Sequence, residues 1–179
     1  MEKQISSKRI YEGKVVNLRC DTVELADGRT ARREVVEHSG GVAVLALDEN
    51  GCVLMVRQYR YGVGRESLEI PAGKREPGED PALCGMRELE EETGYRAGSF
   101  EPFGSLDPTP AYDSEVIHLF LAKNLTPTAQ KLDEGEVLTV EKIPLQKAAE
   151  LCLNGTITDA KTQIAIYKFI IKTTSPVTS

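Results

Sequence analysis

Glu88, Glu91 and Glu92 stand within five residues of one another, directly behind Arg87. On a helix each residue turns the chain by about 100°. With Leu83 set at zero, Glu91, Glu88 and Glu92 fall at about 80°, 140° and 180°, on one side. Leu89, Ala82 and Met86 fall between about 240° and 300°, which makes their side the expected buried face. Glu88 and Glu92 are i, i+4 neighbours, and like charges at that spacing repel. The run also crowds the helix C-terminus, where the macrodipole disfavours anions. Arg87 offsets part of this by i, i+4 pairing with Glu91. Such a cluster is a solvated face, a metal site or an acid/base site. The unfavourable terms ask for a counter-ion, and oxygen donors without histidine suit a hard cation such as Mg²⁺ or Mn²⁺. With two histidines in the chain, a multi-histidine centre is excluded by count.

The elements that position this cluster carry clear punctuation. Asp80 suits the N-cap, Pro81 the first helical position, and Gly94 a left-handed C-terminal stop. Ahead of the helix, Gly73 to Gly78 reads as a polar turn. Val42 to Leu47 and Val53 to Tyr59, separated by Asn50-Gly51, read as a buried hairpin, and Ser67 to Ile70 as a short strand stopped by Pro71. Strands follow the helix at Phe100–Ser105, Val116–Leu121 and Val137–Lys142, then helices at Leu145–Leu153 and from Asp159 to about Lys172. Residues 173–179 read as a frayed tail. Val15–Cys20, Thr22–Leu25 and Ala31–Val36, with the Asp27-Gly28 turn, form an N-terminal hairpin region too polar for a core of its own. It needs the main domain or a second subunit as platform. Strands interspersed with helices give an α/β class with a mixed sheet. The expected division is 1–39 as this N-terminal region and 40–172 as the main domain.

The 179 residues carry 22 basic and 28 acidic side chains, a net charge of −6. That disfavours binding of nucleic acid through a basic surface. Nine of the 28 carboxylates lie between Glu66 and Glu92, which singles this segment out. No apolar run is long enough to span a bilayer, and no apolar region follows Met1-Glu2-Lys3-Gln4, so the cytosol is the expected location and no membrane is involved. Cys20, Cys52, Cys84 and Cys152 are scattered and read as reduced, packed thiols.

Gly73 to Tyr95, GKREPGEDPALCGMRELEEETGY, resembles the Nudix box, G-x5-E-x7-R-E-U-x-E-E-x-G-U with U a bulky apolar residue. Gly73, Glu79, Arg87, Glu88, Leu89, Glu91, Glu92, Gly94 and Tyr95 fill its fixed positions in order. The resemblance implies an α/β/α sandwich with a mixed sheet, and metal-dependent hydrolysis of a nucleoside diphosphate linked to another group. It implies Glu88 and Glu92 as principal Mg²⁺ ligands with the Ala72 carbonyl, and Glu91 as helper. Arg87 would orient the carboxylates, Glu79 buttress the loop, and Gly73 allow it to be tight. Two or three ions per site are implied, Mg²⁺ first, with Mn²⁺ or Zn²⁺ as alternatives.

Outside the box, from about Thr30 to Asp159, the chain resembles the ADP-ribose pyrophosphatase branch. Pro110 lies 16 residues beyond Gly94, where that branch carries a marker proline. The surrounding turn departs from the branch's Ser-Pro-Gly and reads Thr109-Pro110-Ala111-Tyr112. Tyr112 either stacks on a base or ribose or fills the loop. The resemblance makes Glu115 a general base or further metal contact. It makes Arg60 a diphosphate ligand and Arg33 an arginine reaching substrate across a homodimer interface, both roles suited to a planar guanidinium. Glu69 would bond substrate or orient an arginine. The expected reaction takes ADP-ribose, or another ADP-sugar, to AMP and ribose 5-phosphate. The alternatives are a Nudix hydrolase of another nucleotide sugar, a dinucleoside polyphosphate, NADH or an oxidised nucleoside triphosphate, and a non-catalytic nucleotide sensor.

Overall fold

Val42, Val44 and Ala46 bury toward one side of a strand; Ala43 and Leu45, followed by Leu47, bury toward the other. A strand that alternates this way with apolar residues on both faces must lie between two covering layers. The strand is β4, Gly41–Ala46, and all six residues are buried. The computed structural model describes residues 1–174. The order is β1 (Lys3–Glu12), β2 (Asn17–Glu24), β3 (Thr30–Glu37), β4, β5 (Cys52–Arg60), β6 (Arg65–Glu69), β7 (Ala72–Lys74), α1 (Pro81–Thr93), β8 (Tyr95–Leu106), β9 (Ile117–Pro127), β10 (Leu138–Pro144), α2 (Leu145–Leu153) and α3 (Ala160–Thr174).

These elements form two units. The larger holds Gly41–Leu106 and the chain from Ile117 on. In it, β7-β4-β9-β8 form a mixed sheet with β4 and β9 parallel, and β10-β5-β6 form an antiparallel one. One core cluster joins Ala43, Leu45, Met55 and Leu121 to Ala148 and Cys152 of α2 and Ile166 of α3. The other joins Val44, Leu54, Phe120 and Ala122 to Cys84 and Leu89 of α1. Sheet between helices is the layering expected from the sequence.

Two expectations are corrected. The runs read as a hairpin, β4 and β5, do not pair along their length. A bridge links Leu47 to Val53 beside the turn, and the two strands go to different sheets. Two adjacent apolar runs across a turn satisfy their burial equally well by splaying into separate sheets, and periodicity cannot tell the two outcomes apart. The buried face of α1 is also wider than expected and turned away from Met86: Leu89 is buried and Ala82 packs on the core as read, but the face extends to Cys84, Gly85 and Glu92. Leu83 and Met86 are exposed, whereas Cys84, Gly85, Leu89, Glu92 and Thr93 are buried. Gly85 lets the helix press on the stacked rings of Phe100 and Phe120, since a Cβ there would stand 2.9 Å from Phe100 Cζ. Small residues, Cys84 and Gly85, share the contact face with Leu89. The cap positions are as read: Asp80 accepts from Ala82 N–H at 2.8 Å and Leu83 N–H at 3.2 Å, and Gly94 ends the helix at φ 70°. Helix α3 runs on through Thr174, and the rest of the expected tail, 175–179, lies outside the described residues.

The smaller unit holds Met1–Gly40 and Asp107–Val116. Its sheet is β1-β2-β3, antiparallel throughout, so the expected hairpin gains a third strand. The strand β1 was not foreseen, because Lys3 to Glu12 lacks the alternation of a half-buried strand, and all ten residues are exposed. The proline-containing loop joins this unit at β3: Val36 N–H donates to the Tyr112 carbonyl at 2.8 Å and Ser114 N–H to the Val36 carbonyl at 3.0 Å.

Candidate active site

In the larger unit, Arg87 ties three carboxylates together. Its guanidinium stands 3.2 Å from Glu79, 2.8 Å from Glu88 and 2.9 Å from Glu91. Arg87, helped by the Glu76 N–H, holds the Glu79 carboxyl at about 2. Burial pushes the Glu88 carboxyl up, and Arg87 opposes that. Glu92 lies one turn on, 2% exposed, with one oxygen accepting the Ala72 N–H at 2.9 Å. Burial pushes its carboxyl up to about 8, with Glu88 and Glu136 adding like charge. Gly73 sits against Glu88 so closely that a Cβ would overlap the carboxylate.

A cavity of about 260 Å³ opens here, its wall including Arg60, Ala72, Glu88, Glu91, Asp133 and Glu136. Asp133 and Glu136 were not foreseen. Helix α1 has no basic residue in its last turn, so other donors satisfy its final carbonyls. Thr128 N–H donates to the Gly94 carbonyl at 2.7 Å, Lys131 N–H to that of Glu91 at 2.9 Å, and Gln130 Nε2 to that of Glu92 at 2.6 Å. This docking carries the following Asp133–Glu136 segment to the cavity. By sequence alone Asp133-Glu134-Gly135-Glu136 is an ordinary acidic turn. The signal that points further is Gln130, whose side-chain amide can cap an acidic helix that lacks a basic residue of its own; Lys131 acts through its backbone N–H, as any residue there would.

Arg60, at the end of β5, reaches the same cavity. Its Nε and Nη2 donate to the two oxygens of Glu69, at 2.9 and 2.7 Å. Glu69 thus meets an arginine with both of its carboxylate oxygens. Among the described residues, no three Asp, Glu, His or Cys side chains converge tightly enough as they stand to hold a metal ion. The donor chemistry nevertheless fits a hard divalent cation: the available ligands are carboxylate and carbonyl oxygens, and a cation beside buried Glu92 would offset the burial that now favours its protonated form.

Three expected residues belong to the smaller unit. Arg33 donates to both oxygens of Glu2, at 3.0 and 2.5 Å. Tyr112 has an exposed ring and is held by its backbone. Glu115 stands 3.1 Å from His38 Nδ1, and its N–H donates to Asp113 at 2.9 Å. Thus Ala72, Glu88, Glu91, Glu92, Arg87, Arg60 and Glu69 share one unit, and Arg33, Tyr112 and Glu115 the other. All four cysteines are free thiols, as expected.

Comparison with known proteins bears on both units. Residues 37–162 match the family described as NUDIX domain, and residues 2–36 match the nucleoside diphosphate sugar hydrolase N-terminal domain. An ADP-ribose pyrophosphatase of Bacillus subtilis is 41% identical over 96% of this chain and 94% of its own length. A methanol dehydrogenase activator of Bacillus methanolicus is 42% identical over 92% and 90%. An ADP-ribose pyrophosphatase of Mycobacterium tuberculosis is 37% identical over 87% and 77%. The crystal structure of an ADP compounds hydrolase superposes with a TM-score of 0.84, covering 98% of this chain and 97% of that one at 21% identity, which speaks to the fold alone.

Proposed function

The chain belongs to the Nudix hydrolase superfamily, and from that premise we propose that it hydrolyses the pyrophosphate bond of ADP-ribose and related ADP-sugars, giving AMP and ribose 5-phosphate. The observation that carries the substrate is the 41% identity to an ADP-ribose pyrophosphatase over 96% of the chain. That match extends well beyond the box, and the box specifies chemistry but not the group attached to the nucleotide.

The residues divide the work. Glu88, Glu92 and the Ala72 carbonyl would hold Mg²⁺, with Glu91 supporting and two or three ions per site. When bound, the metal polarises phosphoryl oxygens and lowers the pKa of a water. Arg87 aims the carboxylates of Glu79, Glu88 and Glu91. Arg60 offers the diphosphate the edge of its guanidinium that Glu69 leaves free. A carboxylate accepts the proton of the water that attacks phosphorus in line; Glu115 is one candidate and Glu136, on the cavity wall, the other. Tyr112, with its exposed ring, stacks on the base or ribose.

The working form is a homodimer. The support is β1: ten exposed residues, among them Ile5, Ile10 and Tyr11, with exposed Val15 and Val16 just beyond. An exposed strand of this composition favours association with another surface. Arg33 then acts on the partner's substrate. No described helix is long and apolar enough to cross a membrane, and a cytoplasmic enzyme with a small-molecule substrate fits. Turnover of ADP-ribose, ADP-mannose, diadenosine polyphosphate, NADH and GDP-mannose, each with Mg²⁺ and with Mn²⁺, tests the reading. ADP-ribose is expected to lead, and its absence from the best two would sink the assignment.

A further inference from the structure

Arg60 does not pair with Glu69 in isolation. The Glu69 side chain is 4% exposed and receives a second cation, Lys161, whose Nζ lies 2.6 Å from Oε2. Lys161 belongs to the first turn of α3, and its Nζ also lies 2.7 Å from Asp159 Oδ1. The other Asp159 oxygen accepts from Thr162 N–H at 2.9 Å and from its hydroxyl at 2.5 Å. The Thr162 oxygen accepts the Ile70 N–H at 2.9 Å. The chain of contacts runs without a break from α3 to Arg60 on one side, and to Ile70, two residues before Ala72, on the other.

We propose that Lys161 is a positioning residue for Arg60: it supplies the second positive charge that Glu69 and Asp159 require, so that Arg60 keeps one guanidinium edge and its charge for a diphosphate. This rests on the reading of Arg60 as the diphosphate arginine. The four side chains now sum to zero charge. Without Lys161, two largely buried carboxylates would share Arg60 alone. Its guanidinium would be drawn inward, and the cluster would face the substrate with a net negative charge. Burial alone would push the Glu69 carboxyl up, yet Arg60 and Lys161 together hold it at about 2, so both cations are engaged by it. A lysine that merely stapled α3 to β6 would affect stability and leave substrate affinity alone.

The test is a double-mutant cycle on the full chain with Mg²⁺ and ADP-ribose. Lys161→Met is expected to raise KM about tenfold with kcat within about threefold, and Lys161→Arg to recover most of the loss. In an Arg60→Ala background, which raises KM by itself, Lys161→Met should add nothing further. Equal effects of Lys161→Met in both backgrounds, or a lowered unfolding midpoint with unchanged KM, would overturn the proposal. If Lys161→Met does not fold, Lys161→Gln takes its place in the cycle. If the parent protein does not turn over ADP-ribose, the functional reading fails. The cycle is then read by calorimetric binding of inorganic pyrophosphate with Mg²⁺, where non-additive losses support the role of Lys161 and additive ones remove it.

Discussion

Glu92 is a carboxylate that the metal-free protein holds protonated near neutrality, since burial pushes it up to about 8. In the unfolded chain it titrates at an ordinary value near 4.5. Between those values the native state binds a proton that the unfolded state has released, so stability falls as pH rises from about 4.5 to 8. Glu92→Gln has no charge to desolvate. It should flatten that fall and, at pH 8 in a chelator, be the more stable protein by a few kcal/mol. With Mg²⁺ present the order should reverse, while turnover drops at least about a hundredfold. Thermal unfolding from pH 5 to 9, with and without Mg²⁺, measures this. A metal-free parent whose stability rises across the window would contradict it. Glu136 is the second residue to test: as acceptor of the water's proton, its change to Gln should lower kcat about 10²-fold or more with little change in KM. A full rate in Glu136→Gln together with that loss in Glu115→Gln would give the role to Glu115. The sequence displays Glu92 by the spacing of the box. It does not display Glu136, which lies 44 positions on and reaches the cavity only through hydrogen bonds that Gln130 and Lys131 make to helix carbonyls.

For α1, the ends were legible and the orientation only in part, with Leu89 on the buried face as read and Met86 exposed. Asp80, Pro81 and Gly94 state where the helix starts and stops because capping is local chemistry. Which face is buried depends on what the helix meets. Here it meets Phe100 and Phe120, which leave no room for a Cβ at Gly85, and Leu89 packs in the same cluster. This orientation turns Glu88 and Glu92 inward, and the cost of burying them would be offset by a cation in a way that a solvated stripe does not call for. The consequence for stability is uneven along the helix. Leu83→Gln and Met86→Gln should each cost under about 0.5 kcal/mol. Leu89→Ala should cost about 2–5 kcal/mol, and Gly85→Val about 1–3 kcal/mol through overpacking against the rings. Urea unfolding at fixed Mg²⁺ ranks the four. A large loss at Met86 would return the helix to the face expected from its periodicity.

At the scale of the whole chain, periodicity and turn residues gave the number and type of most elements but not the partners of β4 and β5, because strand pairing is a long-range property. The same limit applies to the site, whose expected residues fall in two units. Arg33 belongs to the unit built on β1-β2-β3, and Glu92 to the other. If Arg33 serves the partner's substrate, two inactive proteins can repair each other. In a heterodimer of Arg33→Ala with Glu92→Gln, one site combines an intact Glu92 with Arg33 from the opposite chain; the other site carries both defects. Random reassortment of equal amounts makes half the dimers mixed, each with one working site, so about a quarter of the parent activity should return. If Arg33 serves its own chain, each site keeps one defect whatever its partner, and mixing restores nothing. Sedimentation of the same mixture fixes the species present, and a fully active monomer would remove the premise. The net charge of −6 enters here as well. It describes the metal-free protein, and under the proposed function arginines and bound divalent ions would reverse the local sign that a diphosphate meets. Activity in the mixture should therefore require Mg²⁺ at the level the parent needs, because each repaired site keeps one complete set of carboxylates.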